Sequence, residues 1–316
     1  MNGLAAALVY PGITAMFVYL LVAVWLERKL AAKVQWRYGP LYVSRRLGGL
    51  LQGVADAVKL IFSELVIPSY TNKALFAALP LVVFFADALP VMFIPGASDL
   101  IIYRSQYGLA YILVVLLLAT PAIVAMAWVE ADKFTYIGAL REILIEAAYE
   151  VPLALSILAM MILYGPDPVG VVQAQKVPGI LANPLAFFAY FVSAAMATSR
   201  FPFEIPDADT EIVFGPYTEY GSSLLLASFG ANYVALYSFS LLGALLFLGG
   251  WSPVEGPLGA LVMLAKALLL TTVWLFLRAV YPRLRIDQAL KLGWGSLLAI
   301  SVASIAVSAA WRIWLG

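Results

Sequence analysis

The sequence predicts an all-α polytopic membrane protein with about eight transmembrane helices plus one amphipathic helix lying in the interface. Three observations predict it. First, 64% of the 316 residues are hydrophobic and the mean hydropathy is +0.95, more apolar surface than a water-soluble domain could enclose. Second, apolar runs recur near Leu4–Leu26, Ala74–Pro95, Tyr107–Val129, Ile143–Tyr164, Ile180–Ser199, Leu224–Leu248, Leu258–Val280 and Leu297–Trp311. A helix needs roughly 20 residues to cross a hydrocarbon core of about 30 Å, and barrel strands are far shorter. Third, the basic residues sort by side. Arg28, Lys29, Lys33, Arg37, Arg45, Arg46, Lys59, Lys73, Lys133, Arg141, Arg200, Arg283, Arg285 and Lys291 fall in the odd-numbered connections, against Arg104, Lys176 and Arg312 on the other side. The positive-inside rule then places the first connection in the cytoplasm and both termini outside a prokaryotic plasma membrane.

The first apolar run has no basic residue before it and is too long for a signal-peptide core, so it reads as the first span. The connection 27–73 that follows is not a simple loop. Leu50, Val54, Val58, Ile61 and Leu65 recur at helical spacing, with Gln52, Asp56, Lys59 and Ser63 opposite. That pattern predicts a helix lying in the membrane interface and ending before Pro68. It either anchors the connection or walls an entrance for a lipid-soluble molecule. No separate soluble domain is evident, and residues 1–316 read as one membrane domain.

The connection 200–222 is long, acidic and aromatic. It holds Glu204, Asp207, Asp209, Glu211 and Glu219, with Arg200 at its start. Pro202, Pro206 and Pro216 prevent one continuous helix. Such a segment is either a solvated loop or a face presented to a partner or a water-filled site.

Asp87, Glu146, Glu150 and Lys266 fall inside proposed spans. An ionised group at mid-membrane costs about 2.5–3.5 kcal/mol or more, so such residues face the bundle interior or water. Glu142, Glu146 and Glu150 are four apart and form one helical stripe beside Arg141. Titratable groups one turn apart can hand on a proton; the alternative is a polar seam between packed helices.

The chain has no Cys and no His, which excludes thiolate-held iron–sulfur clusters, His-ligated haem and ordinary zinc sites, and leaves no catalytic or metal-binding residue to assign. No nucleotide-binding glycine loop is present. A net charge of +1 gives no reason to expect nucleic acid.

Ten segments together identify a family. They are ERK at 27–29, RYGP at 37–40, LQGVADAVKLIFSE at 51–64, IGALR at 137–141, YEVPL at 149–153, RFPFEIPDADTE at 200–211, TEY at 218–220, GGW at 249–251, AK at 265–266 and RAVYPRLRIDQ at 278–288. In this order they resemble the H subunit of respiratory complex I, the NADH dehydrogenase subunit 1 family, archaeal forms included. The resemblance implies a membrane component of a proton-translocating NADH (or F420H2 or ferredoxin):quinone oxidoreductase that carries no redox centre itself. Quinone would be a substrate bound together with neighbouring subunits. The partners implied are hydrophilic-arm subunits carrying the terminal iron–sulfur cluster and the headgroup site, small membrane subunits, and antiporter-like subunits.

By matched position, Glu27, Arg28, Arg37, Asp56 and Lys59 would border the quinone entrance and tunnel. Glu204, Asp207, Asp209 and Glu211 would form the acidic loop below the headgroup, and Glu150 and Glu219 would belong to a buried acidic path. With the stripe residues Glu142 and Glu146 these make the expected relay and coupling set; Asp87 and Lys266 are further buried charges. The chain departs from the family pattern with Asp at 207 and 209, Gly221-Ser222 after Tyr220, Leu41-Tyr42 after Pro40, and Glu130 and Asp132 before Lys133. Arg141-Glu142 resembles the homologous anchor of group 4 membrane-bound hydrogenases or sulfur reductases, which is the alternative reading. A stand-alone ion transporter is a third.

Overall fold

The computed structural model describes residues 2–315, apart from the side chains at 2, 209, 314 and 315. The Asp209 side chain therefore lies outside the described residues. No strand occurs among the described residues, and the main helices are α1 (Ile13–Val34), α2 (Gln52–Phe62), α3 (Lys73–Ala88), α4 (Gly108–Leu116), α5 (Ala119–Glu130), α6 (Lys133–Tyr164), α7 (Pro184–Ala197), α8 (Ser222–Phe247), α9 (Pro257–Val280) and α10 (Leu298–Leu315). The fold is thus the all-α, polytopic one that the apolar runs predict.

Seven helical stretches among the described residues are long and apolar enough to cross a bilayer. They coincide with seven of the eight apolar runs. The remaining run, Ile180–Ser199, is divided. A short turn, Gly179–Ala182, is followed by the 14-residue α7, which spans only about 21 Å. Asn183 makes the break. Its Oδ1 accepts from the Ala186 N–H at 3.0 Å, a helix N-cap, and Pro184 takes the first helical position. Its Nδ2 donates to the Ser304 carbonyl and the Ser308 hydroxyl, both at 2.8 Å, which fastens the break to α10.

Helix α8 is the centre of the bundle. Its most apolar window is 83% buried, against 28–50% for the other six spans, as expected of a helix that is apolar on all sides. Lipid tails are as apolar as leucine, so packing and interior hydrogen bonds must hold such a bundle together. Gly243 lets the Tyr190 ring of α7 approach so closely that a Cβ there would sit 3.0 Å from it. The Tyr190 hydroxyl donates to the Phe239 carbonyl at 2.6 Å. Tyr19 of α1 shares hydrogen bonds with Ser240 (2.8 Å) and Thr271, joining α1, α8 and α9. The Trp274 indole of α9 donates to the Phe191 carbonyl of α7 at 3.1 Å.

Side-chain caps set the helix starts: Asn72 opens α3 and Asp132 opens α6. Pro152 lies inside α6 and cannot donate to the Ala148 carbonyl one turn back. Gly293, in a π-helical turn at Leu292–Leu297, packs on that carbonyl so tightly that a Cβ would come within 2.5 Å of its oxygen. This close approach seats the segment before α10 against the acidic helix α6.

The connections meet at two ends. At one end the segment after α1, the loop 198–221 and the segment 281–285 are joined: Ser222 bonds Ser63, and the Leu284 N–H donates to the Pro202 carbonyl at 2.9 Å. At the other end Lys266 caps the turn after α8, donating to the carbonyls of Gly250 (2.8 Å) and Ser252 (2.6 Å). The charge expected to be buried at Lys266 is only half-buried, and it is met by backbone carbonyls just past a helix C-terminus, where a cation is favoured.

Replacing Gly293 by Val should overpack this junction and destabilise the protein by about 1–3 kcal/mol. A fall in thermal midpoint of the detergent-solubilised assembly would register it, and an unchanged midpoint would mean that α10 is not seated through this contact.

Candidate functional site

The amphipathic helix α2 carries no fully buried residue. Its apolar side instead walls a cavity of about 760 Å³, through Val54, Ala57, Val58, Leu60 and Ile61. The other walls come from α1 (Phe17, Leu21), α3 (Leu81, Phe84, Phe85) and α8 (Ala227, Phe229, Gly230). Small residues on α2 and α8, Gly53, Ala57, Ala227 and Gly230, leave the space between those walls open. A mostly apolar chamber of this volume suits a greasy small molecule, since ligand pockets run to about 300–1,000 Å³.

Polar groups line this chamber sparsely. Arg28 of α1 pairs with Asp56 of α2 at 2.5 Å, and Gln52 donates to Asp56 at 3.1 Å. Tyr233 of α8 also lines the cavity, and its hydroxyl donates to Glu27 at 3.0 Å. Glu27 thus lies just behind the wall. Among the other expected entrance residues, Lys59 is exposed on the side of α2 away from the chamber. Arg37 is exposed and bonds Gln35 at 2.7 Å.

Glu27 opens a chain of buried and half-buried charges. It accepts from Arg200 at 2.8 Å and contacts Arg278. Arg278 also reaches Glu204 at 3.1 Å, and Arg283 approaches Glu204 from the other side at 3.4 Å. The Arg200 guanidinium lies over the Tyr233 ring, 4.4 Å from its centroid. Burial pushes the Glu204 carboxyl up to about 7, with the nearby Asp207 charge adding to the shift and Arg283 and Arg200 opposing it. A loop carboxyl that titrates near neutrality thus joins, through Arg278 and Glu27, to Tyr233 in the wall of the chamber.

The acidic stripe leads to a second, much smaller cavity of about 20 Å³, room for roughly one water. Asp87, Thr120, Glu142, Tyr149, Tyr217 and Asn232 line it, with Ser199 from the start of the loop. Glu142 is buried at this cavity. Glu146 lies one turn on, beside Thr120, and Glu150 lies beside Glu146. Asp87 and Glu142 come from helices far apart in sequence, and the loop residue Tyr217 roofs the space between them.

Two further loop residues are tied to the bundle. Glu211 pairs with Arg141 at 2.6 Å, while Arg141 also reaches the Ile205 carbonyl at 3.4 Å. The backbone N–H of Glu219 donates to Glu130 at 3.1 Å. Sequence reasoning did not assign Glu130 to the site, nor Tyr217, Asn232 or Tyr233. Glu130 stands out as a carboxylate ending an apolar run. The two tyrosines and the asparagine lie in segments where nothing distinguishes them from packing residues.

Comparison with known proteins bears directly on this arrangement. The family model described as NADH dehydrogenase matches residues 7–309. The H subunit of NADH-quinone oxidoreductase from Dehalococcoides mccartyi (strain CBDB1) is 38% identical over 299 residues, covering 93% of this chain and 83% of the relative. The chain belongs to this family. The corresponding H subunit from Geobacillus sp. (strain WCH70) is 34% identical over 312 residues, covering 97% of this chain and 92% of that one. Family membership and the seven spans together make the chain a multi-pass membrane component of the complex I type.

The Glu204 shift has a definite sign. An ordinary glutamate releases its proton near 4.5, whereas here the folded protein holds it to about 7. Its contribution to stability is present at low pH and is lost as pH rises from the lower value through the higher. Glu204→Gln cannot ionise, so its thermal midpoint should rise relative to that of the parent between pH 5 and 8. A constant offset across that range would show that Glu204 does not titrate there.

Proposed function

We propose that the chain forms much of a quinone-access tunnel in a complex I-type oxidoreductase and couples quinone reduction to proton movement. The 760 Å³ chamber behind α2 carries the reading, because it is apolar, bordered by the interfacial helix, and backed by an ionisable network. The quinone tail would lie along Phe17, Leu21, Val58 and Phe84, with its head toward the loop end. Two electrons would come from the terminal iron–sulfur cluster of a neighbouring hydrophilic-arm component, and two protons would complete the quinol. The sidedness of the basic residues puts that end in the cytoplasm.

This chain's part in the chemistry is positional and electrostatic. Arg28 and Asp56 mark the polar edge of the chamber. Tyr233 and Glu27 link its wall to Arg200, Arg278 and Glu204, so a change of charge at the quinone shifts the proton affinity of the loop. Asp207, Asp209, Glu211 and Glu219 extend the acidic loop. Glu142, Glu146, Glu150 and Asp87 would carry the response inward, toward small membrane subunits and antiporter-like subunits. The names of the relatives, each a component of a quinone oxidoreductase, support this reading over the hydrogenase one.

Two variants test it in the assembled complex. Ala57→Phe fills the chamber from α2 and should lower quinone reductase activity at least tenfold while assembly persists; full activity would remove the chamber from the substrate's path. Glu142→Gln should leave electron transfer within about threefold of the parent and reduce protons moved per electron. Unchanged pumping would take the small cavity out of the relay.

A further inference from the structure

We infer that Ser222 is a positioning residue, a latch that holds the amphipathic helix α2 at the working width of the chamber. The inference rests on the proposed role of that chamber. Ser222, the first residue of α8, has φ +57°, a left-handed conformation uncommon for a serine. Such strain persists where the surroundings hold it in place, and it clusters at functional positions.

Here the surroundings are specific. The Ser222 hydroxyl donates to the Ser63 carbonyl at 2.5 Å, and the two hydroxyls lie 2.9 Å apart. Ser63 is the C-cap of α2. Because no residue of α2 is fully buried, packing alone holds it weakly. Two polar pins fix it instead: Asp56 to Arg28 of α1, and Ser63 to Ser222 of α8. Both α1 and α8 are chamber walls, and Ser223, next in sequence, lines the chamber directly.

The latch is anchored on its loop side as well. Three residues before it, the Glu219 N–H is held by the buried Glu130. Two residues before it, Tyr220 stacks on Phe76 of α3, with ring centroids 4.3 Å apart. The end of the acidic loop is therefore fixed to α3 and α5, and Ser222 passes that position on to the lipid-facing helix. A displacement of the loop end moves the chamber wall.

Three substitutions separate latch from strain in the intact complex. Ser222→Gly relieves the left-handed backbone but removes the hydroxyl. It should raise KM for quinone about 3–10-fold with kcat within twofold, the loss of one or two hydrogen bonds of ordinary net strength. It should also speed hydrogen exchange over 52–62. Ser222→Asn tolerates the conformation and offers a side-chain donor, so it should restore both readings toward the parent. Ser222→Ala keeps the strain without the latch and should show the KM rise together with a lowered thermal midpoint. Parental KM and exchange in Ser222→Gly would overturn the proposal. An assembly without quinone activity would fail the functional reading alone, because exchange over 52–62 still reports the latch.

Discussion

The structure depends on one buried carboxylate meeting two arginines. Glu27 ends the apolar part of α1, yet it is almost wholly out of water. A charge so placed costs several kcal/mol unless it is paired and hydrogen-bonded. Arg200 from the loop and Arg278 from α9 supply the pairs, and the Tyr233 hydroxyl supplies a further donor. Helices one, eight and nine and the acidic loop must therefore converge on a single point. Removing any member would leave another charge stranded, so the cluster fixes the relative placement of everything at that end of the bundle.

The two cavities follow from that convergence. On one side of the cluster, α2 and α8 stand apart on their small residues and enclose an apolar chamber. On the other, the loop folds back over α6 and closes a polar space the size of one water above Glu142. Tyr233 faces the first and Tyr217 the second. The loop carboxyl with a proton affinity near neutrality, Glu204, is tied through Arg278 to the same buried carboxylate. A greasy site and a titratable site are thus joined by a few hydrogen-bonded ions.

The bundle tolerates these internal charges because its remaining contacts are short-range and directional. Gly243 under Tyr190, Gly293 on the Ala148 carbonyl, and the Tyr19, Ser240 and Thr271 bonds bring backbones close without a hydrophobic driving force from lipid. Lys266 is the exception that clarifies the rule. It is a charge within a span that meets carbonyl dipoles at a helix end and takes no part in the ion cluster. Its place is explained by capping alone.

Sequence by itself determined the fold class, the number of long spans to within one, the amphipathic helix after the first span and the family. Each follows from the cost of putting polar backbone or charge in hydrocarbon, or from an ordered set of segments. It also singled out most of the charged residues of the site, because a charge in an apolar run is conspicuous. Only tertiary structure decided which charges meet. Glu27 and Arg200 are 173 positions apart, Ser63 and Ser222 159, and no local periodicity links them. It likewise set Arg37 and Lys59 outside the chamber, divided the Ile180–Ser199 run at Asn183, and brought in Tyr217, Tyr233 and Glu130. Those side chains acquire a role from what stands across from them, and pairings between distant helices are settled by packing around α8, which no stretch of chain records locally.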